Sequence, residues 1–425
     1  MISYRSAITY LYGLQYRGMK FGLRNIRTLL ADVGNPEEKF PSIHIAGTNG
    51  KGSTASCIAS VCMQCGLKTG LYTSPHLVRF TERIRIDGKE IGQARIRRYV
   101  DILRPSVEAV GATFFEATTC MAFLYFAEED VDIGVIETGL GGRLDATNTL
   151  VPLVSVITNI AREHTEYLGS TIQAIAREKA GIIKSHVPVI TASGDPAVIK
   201  VIRHVAAKMK APVYRSEGMA RVISRGTAGK ITIRSGGWQT RAFLPGLAGR
   251  YQHTNFALAV GALLIAGRRL RPHLRITPGA VEKGIAGVCR NTGLAGRMQL
   301  MKRGSVLLDV AHNAAGMKAL VEDLRAMQLP PRTAVIGVMR DKDRAAMLKE
   351  LGNEMTRIIV VAPGIDRAVP APVLFREGKG LGLPVVFGGT VRRGVRLALK
   401  NRGKERIVIT GSHFVVGEAL KSLEG

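Results

Sequence analysis

The sequence predicts a two-domain α/β protein whose sheets are mainly parallel. Its 425 residues exceed the roughly 100 to 200 residues of one ordinary domain. Strand-like apolar runs alternate with amphipathic, helix-like segments from residue 43 to residue 201, and a second alternation begins after residue 296. Hydrophobic residues make up 46% of the chain and charged residues 22%, which is typical of folded proteins. We therefore expect both domains to be globular.

The first domain is expected to consist of βαβ units. Its clearest strand-like runs are residues 42–46, 131–137, 154–158 and 187–191. Between residues 212 and 244 the pattern changes to short alternating runs, which predicts a small antiparallel side sheet. The apolar stretch 256–267 is too short to span a bilayer and predicts a buried helix.

The second domain begins after the glycine-rich segment 291–296. Its strand-like runs, each followed by a helix-compatible stretch, are residues 305–310, 334–338, 357–361, 384–387 and 406–410. We place the boundary near residue 290, so that the predicted domains are residues 1–290 and 291–425.

The charge balance bears on possible partners. The 60 Lys and Arg residues against 33 Asp and Glu give a net charge of +27, which attracts polyanions, so nucleic acid has to be considered. However, the basic residues are scattered and aromatic residues are only 5%, which disfavours base stacking. We expect anionic small-molecule substrates, no nucleic-acid or membrane partner, and a monomer. Because the N-terminus lacks a secretory signal pattern, the expected location is the cytoplasm.

The five cysteines are expected to be free thiols because an odd count does not suit a disulfide framework. Cys57, Cys62, Cys65 and Cys120 match the spacing of plant-type iron–sulfur ligands. On the helix predicted for this segment, Cys57 would point away from Cys62 and Cys65, and the flanking residues are apolar. Buried structural cysteines are the favoured interpretation.

The strongest single motif is the run Gly47-Thr48-Asn49-Gly50-Lys51-Gly52-Ser53, which follows a predicted strand and begins a helix. In that context glycines allow backbone N–H groups to surround phosphate oxygens, and Lys51 would neutralise the β and γ phosphates. Gly52 stands where such loops usually carry a magnesium-binding Ser or Thr. The hydroxyl ligand must therefore come from elsewhere; the alternative is a glycine-rich turn that binds no phosphate.

A second block, residues 137–148, follows the predicted strand 131–137 at the edge where open α/β sheets bind ligands. Leu144 stands where a dinucleotide fingerprint needs glycine, so a Rossmann oxidoreductase is disfavoured. Glu137 is a candidate Mg²⁺ ligand, and Asp145 is a candidate hydrogen-bond partner for a polar heterocycle. On these residues alone, an ordinary turn carboxylate is the favoured interpretation of each.

Five segments in order resemble the folylpolyglutamate synthase branch of the Mur ligase family. They are the phosphate loop, residues 72–84, the Glu137 block, residues 177–182, and residues 309–313. The resemblance covers nearly the whole chain and is weakest between residues 200 and 245. It implies a P-loop Mur-ligase-like central domain with a mainly parallel sheet, and a smaller C-terminal Rossmann-like α/β domain.

The resemblance also implies an ATP site with two Mg²⁺ ions, and a monovalent cation such as K⁺ is a further candidate. The implied nucleotide contacts are Thr48, Asn49, Gly50, Lys51, Asn255, Arg297, Asp309 and His312. The implied metal ligands are Ser74, Glu137, His164 and a carbamate on Lys179, which would turn a metal-repelling ammonium into an anion. Without the family, His164 would be an ordinary loop histidine and Lys179 an exposed helix lysine.

For the organic substrate, the resemblance implies a dihydropteroate pocket. Its residues would be Lys20, Phe21, Gly22, Thr113, Phe115, Leu144, Asp145 and Ala146. Two positions depart from the family pattern: Glu163 replaces an Asp before His164, and Ala314 replaces a proline. The longer Glu163 side chain is expected to shift His164 slightly.

The implied reaction is ATP-dependent addition of L-glutamate to 7,8-dihydropteroate and to tetrahydrofolate and its polyglutamates, through an acyl phosphate. Lys51, Lys179, His164 and Arg297 would be the catalytic residues. Two alternatives remain. Another Mur-type ligase could add an amino acid to a different acid, or a phosphate-loop protein could bind nucleic acid.

Overall fold

The computed structural model describes residues 2–18, 22–225, 229–270, 274–327, 330, 332–400 and 405–424. The chain divides into two compact units: residues 1–76, 80–246 and 252–294 form the first, and residues 77–79, 247–251 and 295–425 form the second. The boundary predicted at residue 290 lies inside a helix of the first unit. The assignment of the two short segments to the second unit does not follow from the sequence pattern.

The main sheet of the first unit has eight strands within the described residues, in the order β4-β3-β2-β5-β1-β6-β7-β8. They are β1 (Ser42–Ala46), β2 (Thr69–Tyr72), β3 (Ile84–Ile86), β4 (Lys89–Glu90), β5 (Ile133–Glu137), β6 (Val154–Ile157), β7 (Val189–Thr191) and β8 (Val213–Arg215). All neighbouring pairs from β2 to β8 are parallel, and β3 and β4 pair antiparallel at one edge. The mainly parallel sheet expected from the sequence is confirmed.

A small antiparallel sheet lies within the predicted segment 212–244. Its strands are β9 (Arg221–Arg225), β10 (Lys230–Ser235) and β11 (Trp238–Gln239), in the order β11-β10-β9. The side sheet predicted from the alternating runs is therefore confirmed.

Helices cover both faces of the main sheet, so its central strands are buried throughout. They are α1 (Tyr4–Gly13), α2 (Arg24–Asp32), α3 (Lys51–Gln64), α4 (Gln93–Val110), α5 (Phe114–Glu128), α6 (Thr165–Leu168), α7 (Ile172–Ala180), α8 (Pro196–Lys208), α9 (Ser216–Met219), α10 (Gln252–Arg269), α11 (Pro278–Ala286) and α12 (Val288–Thr292). The predicted buried helix 256–267 lies within α10. No helix in the described part of the chain is long and apolar enough to cross a membrane.

Helix α3 packs closely against α11, and the contact depends on a glycine. A Cβ at Gly284 would lie 2.6 Å from Val61 Cγ2 and 2.8 Å from Val61 Cα. The Ser60 hydroxyl donates to the Gly284 carbonyl at 2.6 Å. Cys57 and Cys62 lie on the buried part of α3 as free thiols, as does Cys120 on α5.

The second unit is a smaller α/β sandwich with a six-stranded sheet in its described residues, in the order β12-β13-β17-β14-β15-β16. The strands are β12 (Gln299–Met301), β13 (Val306–Leu308), β14 (Thr333–Ile336), β15 (Arg357–Ala362), β16 (Val385–Thr390) and β17 (Ile407–Thr410). The helices are α13 (Ala314–Arg325), α14 (Arg344–Gly352), α15 (Ala371–Gly380), α16 (Val391–Lys400) and α17 (His413–Glu424). Of these described strands, β12 alone pairs antiparallel, so the predicted Rossmann-like arrangement is confirmed.

Candidate active site

The phosphate loop connects β1 to α3 and is held in place by residues that follow β6. The Thr48 amide donates to the Asn159 carbonyl at 2.8 Å, and the Asn49 amide donates to Asn159 Oδ1 at 2.7 Å. In return, Thr158 Oγ1 donates to the Asn49 carbonyl at 2.7 Å. A Cβ at Gly47, where φ is 151°, would lie 1.7 Å from Thr158 Oγ1. Only glycine therefore allows this close approach.

Two lysines converge on the same carbonyl of this loop. Lys51 Nζ donates to the carbonyls of Gly47 at 3.0 Å and Thr48 at 3.2 Å. Lys179, near the end of α7, donates from Nζ to the Gly47 carbonyl at 2.7 Å and is only 4% exposed. The alternative that Lys179 is an exposed helix lysine is therefore wrong. The fold therefore places the Nζ atoms of two lysines beside the loop that would bind the phosphates.

Asn255 also lies at the phosphate loop, although it comes from α10. Gly50 is left-handed with a φ of 86°, and a Cβ there would lie 2.4 Å from Asn255 Oδ1. The Asn255 amide donates to Gln252 Oε1 at 2.8 Å, which fixes its orientation. The structure thus brings Thr48, Lys51 and Asn255 together, as the family resemblance implies for nucleotide contacts.

The predicted metal ligands Ser74 and Glu137 are neighbours. The Ser74 amide donates to Glu137 Oε2 at 3.0 Å, and Glu137 is buried at the end of β5. His164 precedes α6 in a left-handed conformation, and its Nε2 lies 3.8 Å from Glu163 Oε1. Among the described residues, no three His, Cys, Asp or Glu side chains form a metal-holding group. A serine and a carboxylate side by side nevertheless fit Mg²⁺, which keeps several waters and phosphate oxygens.

Asp145 closes the loop that follows β5. Its Oδ2 accepts from the Leu140 amide at 2.8 Å, and its Oδ1 accepts from the Thr147 amide at 3.0 Å and the Thr147 hydroxyl at 2.5 Å. Burial raises the pKa of the Asp145 carboxyl, and the hydrogen bonds from Thr147 and Leu140 oppose that rise. Asp145 therefore has a structural role in this turn, and its contact with a heterocycle stays a prediction.

Aromatic side chains pack beside the Asp145 loop. A Cβ at Gly139 would lie 2.5 Å from Phe115 Cζ, so the ring covers the start of the loop. Phe115 lies 6.1 Å from Tyr72, centroid to centroid, and the Tyr72 hydroxyl is 3.2 Å from the hydroxyl of Thr118. Phe115 is half-buried, so it can present a ring face to a planar ligand.

The other residues implied for the pterin pocket have mixed outcomes. Thr113 caps α5, and its hydroxyl donates to Glu116 Oε2 at 2.8 Å, so that group is already used. Leu144 is half-buried and Ala146 is buried on either side of Asp145. Gly22 is described, whereas Lys20 and Phe21 lie outside the described residues.

Arg83 is a buried cation that sequence reasoning missed. Its Nε donates to His76 Nδ1 at 2.8 Å, and its guanidinium lies 5.2 Å from the centroid of the Phe114 ring. Burial lowers the pKa of Arg83, and Tyr72, Tyr12 and Glu137 oppose this electrostatically. Arg83 belongs to the segment 72–84 that the sequence analysis singled out. Its burial could not be predicted, because it depends on Phe114 from a helix distant in sequence.

In the second unit, Asp309 is the centre of a buried polar cluster. Its Oδ2 accepts from the Tyr251 hydroxyl at 3.1 Å and from the Met298 amide at 2.9 Å, and its Oδ1 accepts from the Ala311 amide at 2.8 Å. Burial raises the pKa of Asp309, whereas the charge of Arg297 lowers it. Burial also raises the pKa of Tyr251. Arg297 and Asp309 therefore lie together as implied, and Tyr251 was missed.

Two histidines border the same cluster. His312 lies 5.4 Å from His413, centroid to centroid, and Arg297 Nη2 is 3.5 Å from His413 Nε2. His312 Nδ1 lies 2.9 Å from the Val310 carbonyl, which accepts but cannot donate, so this nitrogen carries the proton. His413 was missed, although its place after β17, at the carboxyl edge of the sheet, was a usable signal.

Comparison with known proteins agrees with this geometry. Residues 45–263 match the Mur ligase middle domain and residues 296–413 match the Mur ligase glutamate ligase domain. The chain is 31% identical to the folylpolyglutamate synthase of Lacticaseibacillus casei, over 100% of this chain and 99% of that one. It is 36% identical to the dihydrofolate synthase/folylpolyglutamate synthase of Bacillus subtilis, over 82% of this chain and 83% of that one.

Solved structures of FolC and of folylpolyglutamate synthase are similar to this chain over its whole length. Escherichia coli FolC in complex with DHPP and ADP superposes with a TM-score of 0.88 at 29% identity, covering 100% of this chain and 98% of that one. Mycobacterium tuberculosis folylpolyglutamate synthase complexed with ADP and AMPPCP gives a TM-score of 0.88 at 31% identity, with coverages of 100% and 99%.

The fold, the phosphate loop and the two matched domains define an ATP-dependent ligase, and the chain belongs to the Mur ligase family. Within that family it falls in the folylpolyglutamate synthase/dihydrofolate synthase group.

Proposed function

We propose that the chain adds L-glutamate to 7,8-dihydropteroate, giving dihydrofolate, and to tetrahydrofolate and its polyglutamates. The observation that carries the proposal is the convergence of Lys51 and Lys179 on the Gly47 carbonyl of the phosphate loop. This arrangement supports a site for nucleotide phosphates, and the matched Mur ligase domains make ligation the reaction that such a site would serve. The names and bound molecules of the relatives support a folate-type carboxylate.

The chemistry has two steps. An oxygen of the substrate carboxylate attacks the γ-phosphorus, the bond from that phosphorus to the ADP oxygen breaks, and an acyl phosphate forms. The glutamate amine then attacks the acyl carbon. Phosphate leaves with the carboxylate oxygen that attacked phosphorus in the first step, and the amine loses a proton. Carboxylate, triphosphate and intermediate are all anionic, so positive charge at the loop is the main requirement.

Each residue has a definite part in this proposal. Backbone amides of the loop and Lys51 would bind the β and γ phosphates, and Asn255 would contact the nucleotide near Gly50. Lys179, as a carbamate, would keep one N–H for the Gly47 carbonyl and present an anion in place of an ammonium. By the family resemblance, Arg297, Asp309 and His312 are further candidate contacts for the nucleotide.

Magnesium would be held by Ser74, Glu137 and His164, with the carbamate supporting a second ion, and would offset the charge of the transferred phosphoryl group. Ser74 and Glu137 already lie in contact, which supports the first of these sites. Three further properties stay predictions from the sequence: a requirement for K⁺, a monomeric state and a cytoplasmic location.

ADP release tests the proposal directly. The enzyme is mixed with ATP, Mg²⁺ and glutamate, and either dihydropteroate or tetrahydrofolate is added as the acceptor. We expect ADP formation with each acceptor, and little when either acceptor or glutamate is left out. Activity with only one acceptor would remove the other half of the proposal.

Two outcomes would favour other functions. ADP release with a different carboxylic acid and no response to either pterin compound would indicate another Mur-type ligase. A salt-sensitive complex with DNA or RNA, without glutamate-dependent ADP release, would indicate a nucleic-acid-binding protein.

A further inference from the structure

A buried hydrogen-bonded chain runs from the middle of β1 to the Asp145 loop. His44 is fully buried in this central strand, and its Nε2 lies 2.8 Å from Thr147 Oγ1. The same hydroxyl lies 2.5 Å from Asp145 Oδ1. Nothing in the ligase chemistry described above uses His44 or Thr147, yet burying a histidine beside a threonine is costly unless both are hydrogen-bonded.

The partners of His44 and Asp145 determine which group donates in each of these hydrogen bonds. Asp145 accepts from the backbone amides of Leu140 and Thr147, so its carboxylate acts as an acceptor. His44 Nδ1 is buried without a hydrogen-bond partner in the described structure, and a bare ring nitrogen is tolerated there better than an orphaned N–H. His44 therefore donates from Nε2 to Thr147, and Thr147 donates to Asp145.

At its Asp145 end, this series of hydrogen bonds lies beside the Phe115 ring. Asp145 Oδ2 holds the Leu140 amide at 2.8 Å, and the neighbouring Gly139 lies directly under the Phe115 ring. A change in the Asp145 carboxylate would therefore move both the carboxylate and the surface on which Phe115 packs. Hydrogen bonds therefore connect His44 through Thr147 and Asp145 to the Leu140 amide, from a core strand to the predicted pterin pocket.

We propose that His44 and Thr147 are positioning residues for pterin recognition, which act by fixing the Asp145 carboxylate as an acceptor and holding the loop under Phe115. This inference rests on the proposed function, because it assumes that the pocket beside Phe115 and Asp145 receives the pterin ring. It adds a specificity role for two buried residues that do not touch the reacting atoms.

Replacing the Thr147 hydroxyl tests the link. Thr147→Val removes the hydroxyl with almost no change in volume, whereas Thr147→Ser keeps it. Thr240→Val is the matched control, because the buried Thr240 hydroxyl accepts from the Ile233 amide in the small side sheet. Steady-state kinetics give KM and kcat for dihydropteroate and KM for ATP, and a thermal melt gives Tm.

We expect Thr147→Val to raise the KM for dihydropteroate about tenfold, with kcat and the KM for ATP nearly unchanged. Thr147→Ser should recover most of that loss, and Thr240→Val should leave all three constants at wild-type values. His44→Gln, which can still donate, should perturb KM less than His44→Leu. This second pair gives the answer if Thr147→Val does not fold.

A proportional fall in kcat for both acceptors together with a lowered Tm would show a general structural role and overturn the inference. Wild-type kinetics in Thr147→Val and His44→Leu would overturn it as well. Failure of the proposed function is distinguishable, since the wild-type enzyme itself would then release no glutamate-dependent ADP with dihydropteroate.

Discussion

The loops that follow β1 and β5 begin at the same edge of one sheet, because Ile45 pairs with Glu137 near the ends of two parallel strands. The two loops are held in different ways. The phosphate loop is braced from outside, by Asn159 and by Lys179. The loop after Glu137 is braced from within, by the Asp145 carboxylate that accepts from its own backbone. The first loop is held largely by the residues that follow β6 and by α7, whereas the second uses its own central acid to maintain its shape.

This difference predicts which substitutions separate activity from stability. In the phosphate loop, Lys51 donates to two carbonyls of the loop itself, so its side chain contributes little to the rest of the fold. In the Asp145 loop, the residue expected to recognise the substrate also maintains the backbone. Changes in the first loop should therefore affect turnover alone, and loss of the central acid in the second should affect both the use of dihydropteroate and stability.

The largest effect is expected for Lys179→Ala. Loss of the carbamate would remove the anion that supports the second Mg²⁺, so kcat should fall on the order of a thousandfold, with partial recovery when small carboxylates are added. Steady-state ADP release measures both. Arg177→Ala, on the exposed face of the same helix, is the control and should keep wild-type activity. Wild-type turnover in Lys179→Ala would eliminate the carbamate.

Lys51→Ala should come next. Removing the charge that neutralises the β and γ phosphates should lower kcat on the order of a hundredfold. Tm should change little because the Lys51 ammonium donates to two carbonyls of its own loop. Turnover at saturating ATP and a thermal melt test the two halves of this prediction, with the exposed Lys200→Ala as control. Full turnover in Lys51→Ala would contradict the phosphate-loop assignment.

Asp145→Ala should affect both properties. Loss of the buried acceptor should lower the free energy of unfolding by about 1 to 3 kcal/mol. It should also lower kcat/KM for dihydropteroate about tenfold, while addition to tetrahydrofolate, which can place its pterin differently, survives better. Denaturant melts and both kinetic assays are required.

Asp195→Ala gives the matched comparison, since Asp195 caps α8 through the Ala197 amide. It should cost about 1 kcal/mol of stability and leave the kinetics alone. Equal losses for both acceptors in Asp145→Ala, with unchanged stability, would show that Asp145 serves a step common to both reactions.

The smallest effect at neutral pH concerns His44. Burial, and secondarily the charge of Lys184, lowers the pKa of His44 to about 3. The unfolded histidine, with a pKa of about 6.5, binds a proton that the folded one does not. Stability from the neutral ring is thus fully present above pH 6.5 and is lost at roughly 1.4 kcal/mol per pH unit as the pH falls toward the folded value.

Urea melts of wild type and His44→Gln between pH 7 and pH 4.5 test this dependence. The variant should have a flatter acid limb, because glutamine does not titrate. Parallel acid limbs in the two proteins would place the acid sensitivity elsewhere.

The fold could be predicted where the signal is local. Runs such as residues 131–137 and the loop from Gly47 to Lys51 carry their structure in neighbouring residues, so strand, turn and helix start are visible in sequence. The strands β2, β3, β4 and β12 lie outside the predicted runs because each is short, and β2 contains Gly70. Strand β8 lies inside the segment 212–244 predicted as a side sheet, but it pairs parallel with β7 in the main sheet. Their pairing is determined by the sheet beside them.

The site could be predicted only in part. Motifs of the family resemblance identified Lys179 and Asn255, whose positions at the phosphate loop depend on the packing of α7 and α10. Arg83, Tyr251 and His413 were missed because their surroundings come from residues distant in sequence. The structural role of Asp145 depends on the Leu140 amide, which no residue pattern specifies.

Isotope transfer tests the central claim, activation of the substrate carboxylate by ATP, most directly. Dihydropteroate labelled with ¹⁸O in its carboxylate is incubated with the enzyme, ATP, Mg²⁺ and glutamate, and the released phosphate is analysed by mass spectrometry. The acyl phosphate route moves one labelled oxygen into phosphate for each amide formed. Dihydrofolate formation with unlabelled phosphate would contradict the account.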